Sequence, residues 1–362
     1  MGFSCGIVGL PNVGKSTLFN ALTKKIAAEA ANYPFCTIEP NEGTVIVPDD
    51  RIYKLSEISN SKKVIPATLK FYDIAGLVKG ASKGEGLGNK FLSHIREVDA
   101  IIHLVRCFED ENITHVNNSI DPISDSDVIE TELILSDLEM LEKISSSIQK
   151  LVKKGDKDAL KKAQYIDQVI SHLSSGMAAR SIKNISEIKT YLNEYNLITL
   201  KPVIYVCNVD ENSIINGNKF SENFKNHIES NIILISADIE SQIATLSDEE
   251  QSDFLSSLGL EESGLNKIIK EGYNTLNLIT YFTSGEMESR AWTIEKNTLA
   301  PDAAGKIHTD FKSGFIRAET ISSEDFIACK GEAKARELGK LRSEGKEYAV
   351  QDGDVMHFLF NN

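Results

Sequence analysis

The sequence predicts an α/β protein with a mostly parallel sheet, an inserted helical arm and a small α+β domain towards the C-terminal end. Three observations carry this prediction. Continuous apolar runs such as Ala100 to Val105 and Lys201 to Cys207 are typical of strands buried on both faces of a parallel sheet. From 126 to about 200 the apolar residues recur with helical spacing. From about Asn277, short β-like stretches alternate with polar loops.

Composition narrows the class of protein. A chain of 362 residues, 41% hydrophobic and 25% charged, is typical of a globular protein with two or three domains. The net charge of −14 argues against coating nucleic acid by bulk electrostatics, so we expect no DNA partner. No apolar run approaches the roughly 18 residues that span a bilayer, so we expect a cytoplasmic protein without a membrane partner. The cysteines lack metal-type spacing and are predicted to be free thiols: Cys5, Cys36, Cys107, Cys207 and Cys329.

The first functional motif follows a strand predicted from Phe3 to Val8 and opens a helix predicted from Ser16 to Lys24. It fits the phosphate-binding pattern G-x-x-x-x-G-K-[ST] and consists of Gly9, Leu10, Pro11, Asn12, Val13, Gly14, Lys15 and Ser16, followed by Thr17. A phosphate would sit at the helix N-terminus, facing unpaired backbone N–H groups. Lys15 would reach the β- and γ-phosphates, and the Ser16 hydroxyl would bind Mg²⁺. The alternative is a glycine-rich turn with a solvated lysine.

Two later stretches predict how the site senses the metal and the γ-phosphate. Thr37, in the loop after Pro34, is a candidate second Mg²⁺ ligand. Asp73 ends an alternating strand and is predicted to hold a water of the metal, while the N–H of Gly76 meets the phosphate. The glycine-rich segment 79–89 is interpreted as a switch that orders and disorders, with a plain flexible loop as the alternative.

The base-binding turn departs from the guanine pattern. In P-loop GTPases the corresponding strand ends in N-K-x-D, whose Asp binds guanine and whose Lys covers the ring. Here the residues are Asn208, Val209, Asp210 and Glu211. The lysine is absent and the carboxylate is one methylene longer, so guanine loses its defining contact and adenine is favoured. The alternative is an ordinary polar loop.

A third buried strand, Ile232 to Ile235, ends beside the same predicted site. The predicted nucleotide-binding residues are Asn12, Val13, Gly14, Lys15, Ser16, Thr17, Gly76, Asn208, Val209, Glu211, Ser236 and Ala237, and the predicted metal ligands are Ser16, Thr37 and Asp73.

The rest of the chain divides by its periodicity. We expect a nucleotide-binding domain from 1–125 and 201–276, a helical insertion at 126–200 and a small domain at 277–362. Gly155 separates two helices predicted to be antiparallel. Near it lie six lysines, which indicate either a solvated helix turn or a tip that touches RNA: Lys150, Lys153, Lys154, Lys157, Lys161 and Lys162.

Taken together, the loop from Gly9 to Thr17, the stretch Asp73 to Leu77 with its glycine-rich continuation, the turn Asn208 to Glu211, the helical arm and the small domain resemble the YchF/Obg-like ATPase family of P-loop proteins. The resemblance covers essentially the whole chain. It implies a P-loop NTPase domain, a C-terminal TGS domain, hydrolysis of ATP in preference to GTP, and association with ribosomes.

The hydrolytic step needs a residue that orients water. Ras-like enzymes use a glutamine after D-x-x-G, where this chain has Leu77. The resemblance implies that His115 takes this role; from the residues alone, a loop histidine is more often an exposed bystander. Lys15, from the phosphate-binding motif, is the second catalytic candidate. Related P-loop proteins with asparagine at the place of Asn12 use it to hold K⁺, so K⁺ joins Mg²⁺ as a candidate cofactor unless Asn12 only shapes the loop.

The leading functional hypothesis is therefore an ATP-hydrolysing, nucleotide-dependent switch that is monomeric and binds ribosomes through RNA and protein. One alternative is a nucleotide-gated ribosome-binding adaptor with little turnover. Another is a GTP-dependent ribosome-associated GTPase, which requires Glu211 to tolerate guanine. Whether Cys36, beside Thr37, responds to oxidation is not decided by the sequence.

Overall fold

The computed structural model of the protein describes residues 3–30, 38–39, 42–73, 87–110, 119–228 and 230–361. Two sheets and a helical arm organise these residues. None of the helices described there combines the length and the apolar character needed to cross a membrane. The cysteines in the described ranges are buried free thiols, as predicted, namely Cys5, Cys107, Cys207 and Cys329.

The first sheet is mostly parallel, as predicted. Its strands in the described ranges are β1 Ser4–Val8, β2 Ile38–Glu39, β3 Glu42–Ile46, β5 Thr68–Asp73, β6 Ala100–Arg106, β7 Val203–Asn208 and β8 Ile232–Ile235. Their spatial order is β2-β3-β5-β1-β6-β7-β8. Strand β3 pairs antiparallel with both β2 and β5, and the neighbouring strands from β5 to β8 pair in parallel. Every residue of β1 and β6 is buried, as expected for strands covered on both faces.

The helices of the described residues are, in chain order, α1 Lys15–Ala30, α2 Arg51–Ser59, α3 Leu87–Glu97, α4 Pro122–Val152, α5 Lys157–Ser174, α6 Ile185–Leu192, α7 Lys219–Ile228, α8 Ala237–Ile243, α9 Asp248–Ser257, α10 Gly264–Thr275, α11 Ala300–Ile307, α12 Thr309–Ser313, α13 Ser323–Ala328 and α14 Glu332–Glu337. The phosphate-binding motif therefore joins β1 to α1, the strand-to-helix context that the motif requires.

The arm is built from α4, α5 and α6 and has its own hydrophobic core. Its first helix begins at Pro122, four residues before the predicted start, because the carboxylate of Asp121 accepts a hydrogen bond from the Ser124 N–H at 3.2 Å and proline suits the first turn. Gly155, with φ of +84°, turns the chain from α4 into α5. The two helices pack against each other, which agrees with the predicted helical pair.

The second sheet lies in the C-terminal part of the chain, except for one strand. Its members in the described ranges are β4 Val64–Ile65, β9 Leu278–Ser284, β10 Ser289–Glu295, β11 Phe315–Ser322, β12 Arg342–Glu344 and β13 Asp354–Phe360. The spatial order is β12-β11-β13-β9-β10-β4. The short strand β4 comes from the connection between β3 and β5, so this connection reaches from the first sheet into the second.

The C-terminal elements agree in part with the sequence prediction. The predicted strands in 278–282, 291–294 and 355–360 and the helix Ser323–Ala328 are present. The predicted strand Tyr348 to Val350 was wrong: in this stretch only Ala349 forms an isolated bridge, to Leu299. The sequence analysis missed β11, whose partly exposed residues do not give a clear alternating pattern.

Candidate nucleotide-binding site

Two glycines allow the phosphate-binding loop to lie close against neighbouring backbone and side-chain atoms. Gly14 has φ of +95°, and a Cβ at this position would lie 2.3 Å from the Nδ2 atom of Asn208. A Cβ on Gly9 would lie 2.8 Å from the backbone oxygen of Leu104 on the neighbouring strand β6. The pattern therefore requires glycine here for steric reasons, because any side chain would push the loop away from the sheet.

Lys15 and Asp73 form an ion pair at the centre of the site. Lys15 begins α1, and Asp73 is the last residue of β5, which pairs in parallel with β1. Sheet pairing thus brings together two residues that were predicted separately, one for phosphate and one for the metal. The ammonium group that was predicted to reach phosphate is therefore paired with a carboxylate in this structure.

The predicted metal ligands within the described ranges offer oxygen atoms of the kind that Mg²⁺ prefers. Ser16 supplies a hydroxyl in the first turn of α1, and Asp73 supplies a carboxylate. Within these ranges no group of three or more His, Cys, Asp or Glu side chains is placed to hold a metal ion. A site with one or two protein ligands, completed by phosphates and water, fits this donor set.

Asn208 connects the phosphate loop to the base-binding turn. Its side-chain Nδ2 donates to the backbone oxygen of Val13 at 2.9 Å, and its Oδ1 accepts from the Ala237 N–H at 3.0 Å. Asn208 is 4% exposed and Ala237 is 3% exposed, so both hydrogen bonds are shielded from water. Ser236 caps α8 through its hydroxyl, which accepts from the Ile239 N–H at 3.5 Å.

The base end of the site is more open than the phosphate end. Val209 is 2% exposed and packs into the core beside the sheet. The carboxylate of the next residue, Asp210, accepts a hydrogen bond from the Ser213 hydroxyl at 2.8 Å. Glu211 is exposed and begins a 3-10 turn that lines the cleft. Asp210 and Glu211 are both exposed and both line the cleft, and Asp210 differs in that its carboxylate is held by Ser213.

A single cleft of about 1360 Å³ joins the two ends. Residues of the phosphate loop, the base-binding turn and the start of α8 line it: Asn12, Gly14, Lys15, Ser16, Thr17, Asn208, Val209, Glu211, Ser236 and Ala237. Val13 is buried beneath the loop and contributes its backbone oxygen to Asn208. The described members of the predicted set are thus brought together in one place.

The sequence analysis did not identify Phe108, which also lines the cleft. Phe108 follows β6, and the guanidinium of buried Arg106 lies 4.5 Å from its ring centroid. Arg106 also donates to the backbone oxygens of Phe108 at 3.2 Å and Asp110 at 3.3 Å, which holds residues 108–110 beside β6. The available signal was an aromatic residue directly after the carboxyl end of a buried strand, where ligands of parallel sheets bind.

Several other residues that were predicted to be functional lie outside the described ranges, and Asn12 lies within them. Asn12 is exposed at the tip of the phosphate loop, with φ of +66°. Thr37, Gly76 and His115 lie outside the described residues, and so do Cys36, Leu77 and most of the glycine-rich segment. The end of that segment, 87–89, forms the start of α3.

The lysines near Gly155 lie along the end of the arm. Lys162 pairs with Glu194 at 2.5 Å, and Lys161 contacts the Tyr191 hydroxyl at 3.5 Å. Lys150, Lys153, Lys154 and Lys157 are exposed. Exposure of these four side chains is compatible with both interpretations made from the sequence, a solvated turn and an RNA-touching tip.

Two family models match parts of the chain. The family model MMR_HSR1, described as a 50S ribosome-binding GTPase, matches residues 4–137. The model YchF-GTPase_C, described as a protein of unknown function, matches residues 278–361.

Full-length relatives are also similar. Proteins named Ribosome-binding ATPase YchF are 53% identical in Bacillus subtilis over 366 residues and 54% identical in Haemophilus ducreyi over 364 residues, each with 100% of both chains covered. The solved structure of the Schizosaccharomyces pombe YchF GTPase matches with a TM-score of 0.89 and 40% identity, covering 99% of this chain and 98% of that one. A GTP-binding protein from Pyrococcus horikoshii shares the fold, with a TM-score of 0.62, 18% identity and coverage of 99% and 100%.

Proposed function

The chain belongs to the YchF family of P-loop proteins, and on this basis we propose that it hydrolyses ATP in preference to GTP and works as a nucleotide-dependent switch on ribosomes. The observation that carries the proposal is the cleft in which Asn208 ties the phosphate loop to a base-binding turn that ends in Glu211. The names of the bacterial relatives, which call them ribosome-binding ATPases, agree with it.

The preference for adenine rests on the base-binding turn. A guanine site needs an aspartate that accepts two hydrogen bonds from the base, and a site built for such donors discriminates strongly. In this chain the aspartate one place earlier, Asp210, is bound to Ser213, and Glu211 carries its carboxylate on a longer side chain. Val209 stands where the guanine pattern has lysine and is directed into the core. These features remove the guanine contacts and leave a site that adenine can enter.

The phosphate end supplies the charge stabilisation in this proposal. Lys15 and the backbone N–H groups at the start of α1 would bind the β- and γ-phosphates, and Ser16, Asp73 and Thr37 would hold Mg²⁺. When bound, Mg²⁺ neutralises the charge that develops on the phosphate oxygens. Because Asp73 already contacts Lys15, the two side chains are positioned to separate onto metal and phosphate as nucleotide enters.

Orientation of the attacking water is assigned to His115 in this proposal, with Gly76 contacting the γ-phosphate. The chain has Leu77 where Ras-like enzymes have glutamine, so another hydrogen-bonding side chain is required. We expect His115→Ala to bind ATP normally and to hydrolyse it at least about 100-fold more slowly, in line with a lost general base. His227→Ala, which removes an exposed histidine from α7, is the matched control. Unchanged turnover in His115→Ala would exclude this role.

The proposal also covers the remaining cofactor and partner assignments. Asn12 is proposed to help hold K⁺, and replacing K⁺ by Na⁺ in the assay should then slow turnover. Equal rates would indicate that Asn12 only shapes the loop.

We propose a cytoplasmic monomer without DNA or membrane partners, organised as a P-loop domain (1–125 and 201–276), a helical insertion (126–200) and a TGS domain (277–362).

The deciding experiment measures ATP and GTP affinity, turnover, and co-sedimentation with ribosomes under ATP, a non-hydrolysable ATP analogue and no nucleotide. Tighter binding of ATP than GTP, with turnover that ribosomes stimulate, is the expected result. Nucleotide-dependent ribosome binding with little turnover would favour the gated adaptor. A clear preference for GTP would overturn the assignment to adenine and favour the GTP-dependent alternative.

A further inference from the structure

The connection between β3 and β5, residues 47–67, links the nucleotide cleft to the second sheet. The two strands pair antiparallel from Glu42 opposite Tyr72 to Ile46 opposite Thr68. At one end of this hairpin, β5 finishes at Asp73, which contacts Lys15 in the phosphate loop. At the other end, the Val47 N–H donates to the backbone oxygen of Ala67 at 2.9 Å, and the chain between them leaves the first sheet.

Within this connection, the backbone joins the second sheet directly. The strand β4 runs parallel to β10, with Val64 opposite Ser289 and Ile65 opposite Arg290. The Ser289 N–H donates to the backbone oxygen of Lys63 at 2.9 Å, so the ladder continues beyond the strand. The connection therefore forms an edge strand of the C-terminal sheet rather than a loop lying over it.

Side chains extend this junction on the N-terminal side of β4. The Ser61 hydroxyl donates to the backbone oxygen of Gly285 at 2.7 Å, and the hydroxyls of Ser59 and Ser284 lie 2.8 Å apart. The helix α2 contributes Ile52 and Leu55, both 0% exposed, to the core that α2 shares with residues of the second sheet. Hydrogen bonds and apolar burial thus hold the connection to the C-terminal region from α2 to β4.

Arg51, at the start of α2, adds a second set of contacts between this connection and the C-terminal region. Its Nη1 atom lies 2.7 Å from Oδ2 of Asp352, and its Nε donates to Asp49 at 2.9 Å. The other oxygen of Asp352 accepts from the Thr280 N–H of β9 at 2.9 Å. The Arg51 guanidinium also lies 5.2 Å from the ring centroid of Phe282. One side chain therefore spans the first sheet's connection and two parts of the C-terminal region.

We propose that the segment 47–67 couples the nucleotide cleft to the C-terminal sheet. A shift of β5 at Asp73, when Lys15 exchanges its contacts for phosphate, would be carried by the hairpin to α2 and β4 and from them to β10. A close-packed core does not absorb such a displacement by continuous deformation, so the second sheet moves with it. Coupling is reciprocal: a partner that binds the C-terminal sheet changes nucleotide affinity by the same factor.

The ribosome-free test is amide hydrogen exchange of the full chain with and without a non-hydrolysable ATP analogue. We expect nucleotide to change exchange in 47–67 and in Ser289 and Arg290 of β10, which do not line the cleft. The control region is α5 of the arm, whose buried residues pack in a hydrophobic cluster that contains no residue of the second sheet. A response confined to the cleft, with none in 47–67 or β10, would overturn the proposal whatever the ribosome does.

The second test weakens the junction outside the cleft. In Arg51→Ala we expect ATP affinity and basal turnover to stay within about twofold, because Arg51 does not line the cleft. We expect the exchange response of β10 to nucleotide to decrease, and Arg51→Lys to restore part of it. The matched control is Lys312→Ala, which removes the Lys312–Asp302 pair of 2.5 Å between α11 and α12.

The ribosome arm of the test depends on the proposed function. Coupled sites usually change each other's affinity by about 5- to 150-fold, so the wild-type ratio of ribosome affinities with and without the ATP analogue should fall in that range. Arg51→Ala should bring this ratio closer to one, and Lys312→Ala should leave it unchanged. An unchanged ratio in Arg51→Ala contradicts the coupling. Wild-type protein that shows the exchange response and fails to bind ribosomes would refute the ribosomal function alone.

Discussion

At the phosphate end of the cleft, backbone atoms and buried side chains touch so closely that the residue types are sterically required; at the base end, an exposed Glu211 faces solvent from a short turn. A Cβ added at Gly14 would lie only 2.3 Å from Asn208 Nδ2. Glu211 has no comparable packing constraint, because its side chain is exposed. We therefore expect the phosphate end to determine whether a nucleotide binds and the base end to determine which base is accepted.

This contrast predicts unequal effects of substitutions at the two ends of the cleft. A substitution at the phosphate end disturbs strand β6, Asn208 and the loop together. A substitution at the base end changes one solvent-facing group in a turn. We therefore expect substitutions at the phosphate end to have the larger effects on nucleotide binding.

The largest effect is expected for Gly14→Ala. The new Cβ would collide with Asn208 at a φ of +95°, which L-residues rarely adopt, so the loop has to shift away from the phosphate position. We expect ATP affinity to fall at least about 100-fold, equivalent to about 3 kcal/mol, by isothermal titration calorimetry. Gly155→Ala is the matched control, since its φ of +84° is also positive and no atom lies within 4 Å of its Cβ position. Equal loss of binding in both variants would contradict the steric argument.

A smaller effect is expected for Asn208→Ala, which tests the connection between the ends. The substitution leaves the Val13 oxygen and the Ala237 N–H buried without their present partners. Each unsatisfied buried group costs about 1–3 kcal/mol, so urea denaturation should show a loss of about 2–6 kcal/mol for the two groups, together with weaker binding of both ATP and GTP. Asn212→Ala, at an exposed position lining the same cleft, should lose less than about 0.5 kcal/mol. Comparable losses in the two variants would refute the bridging role of Asn208.

The contrast between the phosphate end and the rest of the cleft also explains how much of the site could be predicted from the sequence. The phosphate loop, its strand and its helix follow from one motif, because close backbone contacts require glycine at fixed spacing. Asn208 could be placed beside the loop only by recognising the pattern after β7, since it lies 195 residues from its partner Val13. Phe108 was missed because an aromatic residue after a strand carries no motif of its own.

Long-range pairing limited the prediction of the second sheet. The strand β4 contains only Val64 and Ile65 and owes its structure to β10, which begins at Ser289, so local periodicity gives no signal for it. The stretch Tyr348 to Val350 is the opposite case, in which a local preference for a strand does not lead to one. Its residues favour a strand locally, but only Ala349 makes an isolated bridge, because this part of the chain turns into β13.

Base selection should respond to Glu211→Asp. Shortening the carboxylate by one methylene moves it towards the position that binds guanine, while Val209 still leaves the ring without its lysine cover. We therefore expect the ratio of GTP to ATP affinity to rise by about tenfold, about 1.4 kcal/mol, without a full conversion. Competition binding against a fluorescent nucleotide measures both affinities. A ratio that does not change would show that Glu211 does not contribute to base selection.

The smallest effect on nucleotide binding is expected behind the base end, at Glu240 in α8. Glu240 is 0% exposed, and its carboxylate accepts from the Gly264 N–H at 2.7 Å and the Leu265 N–H at 3.2 Å. Burial raises the pKa of Glu240 above its ordinary 4.5, although the two backbone donors oppose this. The folded state therefore binds more protons than the unfolded state, and this group's contribution to the unfolding free energy is lost as pH rises from 4.5 through the raised pKa. In Glu240→Gln that pH dependence should disappear, with ATP affinity within about twofold of wild type. Urea denaturation of both proteins across this window gives the free energy of unfolding as a function of pH. If Glu240 titrates at a raised pKa in the folded state, the difference between the two curves changes with pH. Two parallel curves would contradict the assignment.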